Sequence, residues 1–337
     1  QGAIANRKSQ IANLGLGVVL GLILVTKTTA YIAVPLAGGV LVWRWWQERA
    51  GLRRILLEAA LVAGPMLVIG LPWLARNLAV YGWPDFFGLI RHDQIVVGQT
   101  RTGEYLAQVG WNAYLRRAVE FTFKSFWGVF GWLGVFMDSR AYFLVALLSG
   151  ATAGGLVWWI ANQQISKSAN QRIGAGHDAS SRLTFDVSRH RITIFMLLST
   201  LLTALTYAWY NTQFVQHQGR YLFTALIPLA IAFAVGWAAA VAARAGRVVA
   251  VALGGFAVAL AAWGILSHTG LPKWPIAITV LCAAGFAALD LGALVVERWL
   301  RRPPVILHRL AFALPFCILP LLALYALFGA IVPQLAR

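Results

Sequence analysis

Three cationic side chains, Lys27, Arg76 and Arg220, each stand at one end of a long apolar run. The stretch QHQGRYLFTALIPLA (216–230) shows the arrangement, because polar groups, His217 among them, lead directly into an almost purely aliphatic run. Arginine binds phosphate as a planar fork and lysine binds it as a point charge, and both contacts strengthen where the local dielectric is low. The three cations are therefore predicted to bind a phosphate or pyrophosphate carried by a lipid. The alternative is that each one only anchors a helix end at the membrane surface.

Further polar side chains accompany these cations. In PWLARNLAVYGWPDFFGLIRHDQ (72–94), acid and imidazole groups occur close together on one predicted side of the membrane. A solvated loop would explain each of them alone, and a substrate groove is the alternative. The candidate groove residues are Asn77, Asp85, His92, Asp93, His217 and Tyr221. The chain has no His-Glu-x-x-His pair, Walker lysine loop or Gly-x-Ser-x-Gly turn, so the motifs indicate no metal site, no other cofactor and no catalytic residue.

The composition places these groups in a membrane protein. The chain is 60% hydrophobic and only 12% charged, and it contains 15 tryptophans among 337 residues. A soluble domain of this length needs far more charge to cover its surface, so an all-α polytopic membrane protein is predicted. The net charge of +17 is distributed in short clusters between apolar runs, which is typical of cytoplasmic loops and excludes a nucleic-acid partner.

A membrane span needs about 20 apolar residues, and nine runs reach or approach that length. Residues 1–74 are predicted to hold the first three spans, 75–140 a long outer segment, and 141–337 six more spans with a flexible inner loop at 161–191. Most of the 28 lysines and arginines fall on the inner side if the N-terminus is cytoplasmic, which follows the positive-inside rule. The nine predicted spans are 11–26, 29–43, 55–74, 141–160, 192–210, 222–243, 248–266, 276–296 and 310–332.

The outer segment 75–140 is predicted to contain an amphipathic helix between Trp111 and Asp138. Its charged residues recur every fourth position, and aromatic and aliphatic residues form an opposing stripe, which is typical of a helix lying in the membrane surface. The helix is either a strut packed on the bundle or one wall of a groove at the level of the lipid. The charges are Arg116, Glu120 and Lys124, and the stripe is Val119, Phe123, Phe126, Trp127 and Phe130.

Two features of the predicted spans have structural explanations. The acids Glu58 and Asp290 lie near predicted cytoplasmic ends, so we expect them to pair locally or to reach the surface and not to relay protons. Two glycine pairs predict close helix packing, namely Gly17-x-x-x-Gly21 and Gly150-x-x-x-Gly154.

Four segments resemble one known family. GLGVVLGLILVTKTTAYIAVPL (15–36) resembles the GL-x-x-G-L-x-x-x-T-K hairpin of GT-C membrane glycosyltransferases, in particular the family 39-like bacterial enzymes related to protein O-mannosyltransferases. PWLARNLAVYG (72–82) is similar to the family's Pro-Trp, Arg-Asn and Tyr-Gly segment, and QGRYLFTALIPLA (218–230) is similar to its Gly-Arg-Tyr span opening. SFWGVFGWLGV (125–135) is also similar to members with a large loop. The order and spacing of these segments along residues 15–230 make the resemblance more specific than any one of them.

This resemblance implies transfer of a sugar from a polyprenyl-phosphate donor to a glycan, lipid or protein acceptor on the outer face of the plasma (inner) membrane. It assigns Lys27, Arg76 and Arg220 to the donor phosphate, whose developing charge they would stabilise as it leaves in an inverting displacement. A divalent metal serves some members of the superfamily, but nothing in this chain supplies a site for one.

The family's catalytic acid lies in the first outer loop, upstream of the hairpin matched here. We therefore expect the chain to be the C-terminal part of a longer protein that holds this acid elsewhere, so that transfer by this part alone is not assured. Asp85 and Asp93 do not match the position of that acid.

Two other classes of function stay open. A polytopic transporter or lipid-carrier flippase would also be basic on one face, but transporters tend to show paired halves and ionisable groups near the membrane midplane. Here the charges lie near the span ends, and the halves do not visibly repeat. A non-catalytic membrane subunit is the other alternative.

Overall fold

Helices make up nearly all of the regular structure. The computed structural model describes residues 2–26, 28–96, 98–131, 133–172, 179–300 and 305–335. The α-helices are α1 (Gly2–Thr26), α2 (Ala33–Gln47), α3 (Leu52–Tyr81), α4 (Leu89–Ile95), α5 (Thr102–Gly128), α6 (Ser139–Arg172), α7 (Ala179–Gln213), α8 (Leu226–Ala240), α9 (Ala243–Leu266), α10 (Lys273–Leu300), α11 (Val305–Tyr325) and α12 (Val332–Leu335). Short 3-10 segments precede α2 (Thr28–Ile32) and α8 (Gly219–Ala225), a π-helical segment (Ala326–Ile331) joins α11 to α12, and β1 (Val129–Phe130) pairs antiparallel with β2 (Val135–Phe136).

Eight helical segments in the described part of the chain are long and apolar enough to cross a membrane. The chain is therefore a multi-pass, all-α membrane protein, as its composition predicts. The segments are Arg7–Thr26, Leu52–Tyr81, Ser139–Asn162, Ile192–Gln213, Gly219–Ala240, Arg244–Leu266, Lys273–Trp299 and Val305–Leu335.

The remaining predicted span, 29–43, differs from the other eight because α2 alone has only 15 residues. Helices α1 and α3 run parallel, since Gly17 meets Val62 and, further along both helices, Leu24 meets Gly70. The chain between them must therefore return across the same depth. Five 3-10 residues at about 2 Å each and 15 α-helical residues at about 1.5 Å each give about 32 Å, enough for a hydrocarbon core of about 30 Å. The tighter winding of the 3-10 segment thus lets a short helix complete the return.

Glycines permit two close helix contacts. A Cβ at Gly17 would lie 2.3 Å from the carbonyl oxygen of Val62, and a Cβ at Gly155 would lie 2.1 Å from that of Gly236. The first contact confirms the packing role predicted for the Gly17 pair. The prediction for Gly150 and Gly154 is wrong, because both face open space and the adjacent Gly155 makes the contact instead. Spacing alone did not reveal which face of α6 packs.

The chain forms two compact units. The first comprises Gln1–Ala118, Ser181–His217 and Tyr221–Leu226, and the second comprises Val119–Ser180, Gln218–Arg220 and Ile227–Arg337. In the first unit, Leu20, Leu41 and Val62 bring α1, α2 and α3 together in one core cluster. In the second, the core includes Trp237, whose indole N–H donates to the carbonyl oxygen of Ala311 at 3.0 Å. This division cuts across the three segments 1–74, 75–140 and 141–337 predicted from the sequence.

The predicted outer helix is displaced toward the N-terminus. It begins at Thr102, has a kink at Gly110 (φ 74°) and ends at Gly128, ten residues before Asp138. The carbonyl oxygen of Gly128 accepts a 2.6 Å hydrogen bond from the hydroxyl of Tyr142, and the chain then turns into the β1–β2 hairpin through Gly131 (φ 54°). Glycine tolerates these positive φ values, so Gly131 allows the hairpin turn that directly follows the helix.

The predicted inner loop 161–191 is largely helical. Helix α6 continues to Arg172 and α7 begins at Ala179, and only residues 173–178 of this segment lie outside the described backbone. Its glutamine, lysine and arginine residues are good helix formers, so the helices extend beyond their apolar parts.

Glu58 and Asp290 both pair locally, as predicted. The carboxylate of Glu58 accepts hydrogen bonds from Arg44, from the indole of Trp45 at 2.7 Å and from Arg54 at 2.9 Å. Asp290 lies 3.3 Å from the guanidinium of Arg247. Each acid therefore joins neighbouring helices at one end of its unit.

Candidate functional site

Arg76 lies exposed near the C-terminal end of α3, close to the predicted outer face. Its Nη1 donates to the amide oxygen of Asn77 and to the hydroxyl of Tyr81, both at 3.2 Å. Its guanidinium also lies 5.4 Å from the ring centre of Trp73 and 5.5 Å from that of Tyr81, which is within cation–π range. Among the described residues no carboxylate lies within ion-pair distance of Arg76. The result is a fixed, accessible cation whose charge is offset by no acid in the described part of the chain.

Asn77 holds the loop that follows α3. The residue is 1% exposed, and its amide nitrogen donates to the carbonyl oxygen of Phe86 at 3.0 Å while its oxygen accepts from Arg76. Asn77 was predicted to be a groove residue, but the side chain is buried beneath the loop. It positions Arg76 and the loop and offers no surface to a substrate.

Asp85 has a similar structural role. Its buried carboxylate accepts backbone N–H bonds from Ile90 at 3.2 Å and Arg91 at 2.8 Å, within the first turn of α4. A carboxylate bonded to the N–H groups of a helix start satisfies donors that would otherwise lack partners. This structural role accounts for Asp85 without a ligand, and its place in a substrate groove stays a prediction.

Asp93 and His92 meet residues that are distant in sequence. The carboxylate of Asp93 lies 2.5 Å from Nη1 of Arg101, whose guanidinium stacks over Phe214 at 4.5 Å from the ring centre. The backbones of Arg101 and Phe214 pair as an isolated antiparallel bridge, and the ring of His92 meets the edge of Phe214 at 6.2 Å. Asp93 is thus neutralised by Arg101, whereas the imidazole of His92 stays exposed beside this cluster.

His217 is packed inside the first unit and is 3% exposed. Its ring lies 4.9 Å from that of Tyr114, whose hydroxyl donates to the carbonyl oxygen of Asn211 at 3.0 Å. Thr102 donates to the same oxygen at 2.8 Å. Burial, and then the positive charge of Arg117, lower the pKa of His217 to about 4, while burial raises the pKa of Tyr114.

His217 is consequently a neutral imidazole at pH 7, and its packing accounts for it without a ligand, so its place in a groove stays a prediction. A neutral, enclosed ring cannot add positive charge to a phosphate site. Its role in the first unit is to pack the chain that follows α7 against α5.

The three residues of the Gly219-Arg220-Tyr221 segment have different surroundings. Gly219 packs tightly in the second unit, where its N–H donates to the hydroxyl of Ser125 at 2.7 Å and a Cβ would lie 2.3 Å from the carbonyl oxygen of Thr122. Arg220 follows as an exposed residue, and Tyr221 stacks edge-on against Tyr210 in the first unit at 5.6 Å. Packing alone therefore accounts for the glycine of this motif.

The structure brings only some of the predicted site residues together. Arg76, Asn77 and Asp85 share the α3–α4 connection, and His92 and Asp93 share a cluster with Arg101 and Phe214. Arg220 belongs to the second unit, and Lys27 lies outside the described residues. The joint binding of one phosphate by the three cations thus stays a prediction.

The sequence reasoning missed three residues, Arg101, Tyr114 and Asn211. Arg101 and Tyr114 carried one signal, since they are polar or aromatic groups in the long outer segment. Asn211 accepts the hydrogen bonds of Tyr114 and Thr102 from about 100 positions away, at the end of a span, and no local pattern connects it to them. In the part of the chain with described side chains, no group of three or more His, Cys, Asp or Glu residues is arranged to hold a metal ion.

Comparisons with models of known protein families, with curated proteins and with solved structures gave no match.

Proposed function

We propose that this chain belongs to a membrane glycosyltransferase that moves a sugar from a polyprenyl-phosphate donor to a glycan, lipid or protein acceptor. The sequence resemblance to GT-C enzymes supports this proposal, and one structural observation carries it further. Arg76 is exposed, is held by two aromatic rings and two hydrogen bonds, and is unopposed by acid within the described residues. A cation fixed before the substrate arrives stabilises developing charge without reorganisation.

In this proposal Arg76 contacts the phosphate that leaves from the anomeric carbon. Its Nη1 is engaged by Asn77 and Tyr81, while the other guanidinium N–H groups have no hydrogen bond within the described structure. A planar guanidinium can present two of these N–H groups to two phosphate oxygens. Lys27 and Arg220 stay candidate donor ligands on the strength of the sequence. Asp85 bonds backbone N–H groups and Asp93 pairs with Arg101, and neither matches the position of the family's catalytic acid.

The proposed location is the plasma membrane, with the N-terminus of the chain on the cytoplasmic side and the chemistry on the outer face. The distribution of lysine and arginine supports this orientation. It places the α3–α4 connection, and with it Arg76, on the side where a flipped lipid-linked sugar would be presented.

The test compares Arg76→Gln with Arg91→Gln. Both variants lose one positive charge, and Arg91 is also exposed in the α3–α4 region. The full chain, reconstituted in vesicles, would be assayed for retention of polyprenyl phosphate by native mass spectrometry and for sugar transfer in the presence of acceptor. We expect Arg76→Gln to bind polyprenyl phosphate more weakly and to reduce transfer about 100-fold, the scale of losing one preorganised donor. Arg91→Gln should behave as wild type.

Equal retention of polyprenyl phosphate by both variants would reject Arg76 as a phosphate ligand. A wild-type chain that moves the lipid-linked sugar between leaflets and cleaves none of it would instead favour the flippase alternative. The binding measurement does not depend on a catalytic acid, so it remains informative if transfer requires a further part of the protein.

A further inference from the structure

The turn between α2 and α3 borders an open groove of about 820 Å³. It lies within the first unit, at the end of the helices opposite to Arg76. Hydrophobic side chains form much of its wall, and Trp46 is 74% exposed. The lining includes Val42, Trp45, Trp46, Arg49 and Ile55.

Arg49 occupies an unusual backbone conformation in this turn. Its φ is 46°, in the left-handed region. The N–H of Ala50 donates to the carbonyl oxygen of Trp45 at 2.9 Å, and the N–H of Arg49 donates to that of Trp46 at 3.3 Å. This is the Schellman arrangement that ends many helices, and glycine is the usual residue at the left-handed position. An arginine that stands where glycine would be less strained points to a use for its side chain.

The charges around the groove are unevenly matched. Glu58 engages Arg44 and Arg54, and Glu48 also engages Arg54. Arg49 and Arg53 are exposed, and the described residues place no carboxylate within ion-pair distance of either. The groove therefore combines an apolar wall with surplus positive charge at its rim.

We propose that this groove binds the headgroup of an anionic glycerophospholipid. The guanidinium of Arg49 meets the lipid phosphate, and an acyl chain lies along Val42, Trp46 and Ile55. Amphipathic tryptophans are favoured at the boundary between headgroups and hydrocarbon, and clustered arginines at the cytoplasmic side attract anionic lipids. The site is separate from the proposed sugar transfer and does not depend on it.

The experiment measures lipid-dependent stability of the full chain in neutral detergent. Phosphatidylglycerol, phosphatidylcholine or inorganic phosphate is added, and the thermal unfolding midpoint and the number of retained lipids are recorded. We expect phosphatidylglycerol to raise the midpoint of the wild type more than phosphatidylcholine does, and inorganic phosphate to raise it little. Arg49→Gly should lose most of this phosphatidylglycerol effect and retain the lipid about tenfold more weakly.

Arg49→Gly also controls for misfolding, because glycine relieves the left-handed conformation. Without lipid its midpoint should equal or exceed that of the wild type. Arg244→Gln removes one exposed arginine from another predicted cytoplasmic turn and should keep the full phosphatidylglycerol effect. The proposal is overturned if Arg49→Gly keeps that effect, if phosphatidylcholine matches phosphatidylglycerol, or if inorganic phosphate alone reproduces the stabilisation.

Discussion

The buried imidazole of His217 should make the first unit sensitive to acid. Its pKa is about 4 in the folded protein, against an ordinary value of 6.5, because burial and the charge of Arg117 both disfavour the imidazolium. Between these two values the unfolded chain binds the proton more readily than the folded protein does. The stability contributed by the neutral ring is therefore complete above about pH 6.5 and is lost progressively as the pH falls toward 4.

The size of this effect follows from the two pKa values. Each unit of difference corresponds to about 1.4 kcal/mol, so lowering the pH from about 7.5 to about 4.5 should reduce the free energy of unfolding by about 2.5 kcal/mol through this group alone. His217→Gln keeps a polar side chain next to Tyr114 but cannot take up the proton. Its free energy of unfolding should lack this component of the pH dependence.

The assay is denaturant titration of the full chain in detergent at several pH values, comparing each variant with the wild type. Taking the difference between variant and wild type removes the contribution of carboxylates that titrate in the same range. His92→Gln is the matched control, because it removes an exposed imidazole from the α4 segment and leaves His217 in place. The reasoning fails if His217→Gln keeps the wild-type pH dependence.

Two further pairs of variants test the packing. Glu58→Gln should lower the free energy of unfolding by about 2–3 kcal/mol, which is below the range for a fully buried ion pair because its arginine partners are partly exposed. Glu48→Gln removes an exposed ion pair and should have little effect. Equal losses of stability in a denaturation assay would contradict this prediction. Gly155→Ala should destabilise the second unit markedly, because the new Cβ would overlap Gly236. Gly154→Ala should leave the stability of this unit unchanged or slightly higher, since its Cβ faces open space and alanine favours the helix. Thermal unfolding that ranks the two variants in the opposite order would reject the contact.

The sequence predicted well those features that depend on neighbouring residues. Hydrophobic runs of membrane-spanning length located the eight described segments that are long and apolar enough to cross a membrane, because a helix satisfies its own backbone groups within lipid. The pairing of Glu58 was also predictable, since Arg54 is one helical turn away and Arg44 directly follows the adjacent predicted span. Local composition thus indicates both the class of the protein and the neutralisation of an acid inside it.

Roles that depend on three-dimensional contacts were predicted less well. Asp85 and Asn77 looked like substrate-facing groups, because polar residues in a loop carry the same pattern whether they bind a ligand or the loop's own backbone. The end of α5 was misplaced because the stripe of apolar residues continues beyond Gly128, where the backbone turns. Choosing between Gly154 and Gly155 required knowing which face of α6 meets α8.

The sequence by itself determined that the chain is a multi-pass helical membrane protein, because span length and hydrophobicity are summed over contiguous residues. Only the tertiary structure decided which polar side chains are exposed and which are buried or paired. It buried His217 against Tyr114, engaged Asp93 with Arg101, and left Arg76 exposed and held by its neighbours. The physical reason is that burial and pairing depend on residues brought together by folding, and these two quantities set whether a side chain is charged and accessible.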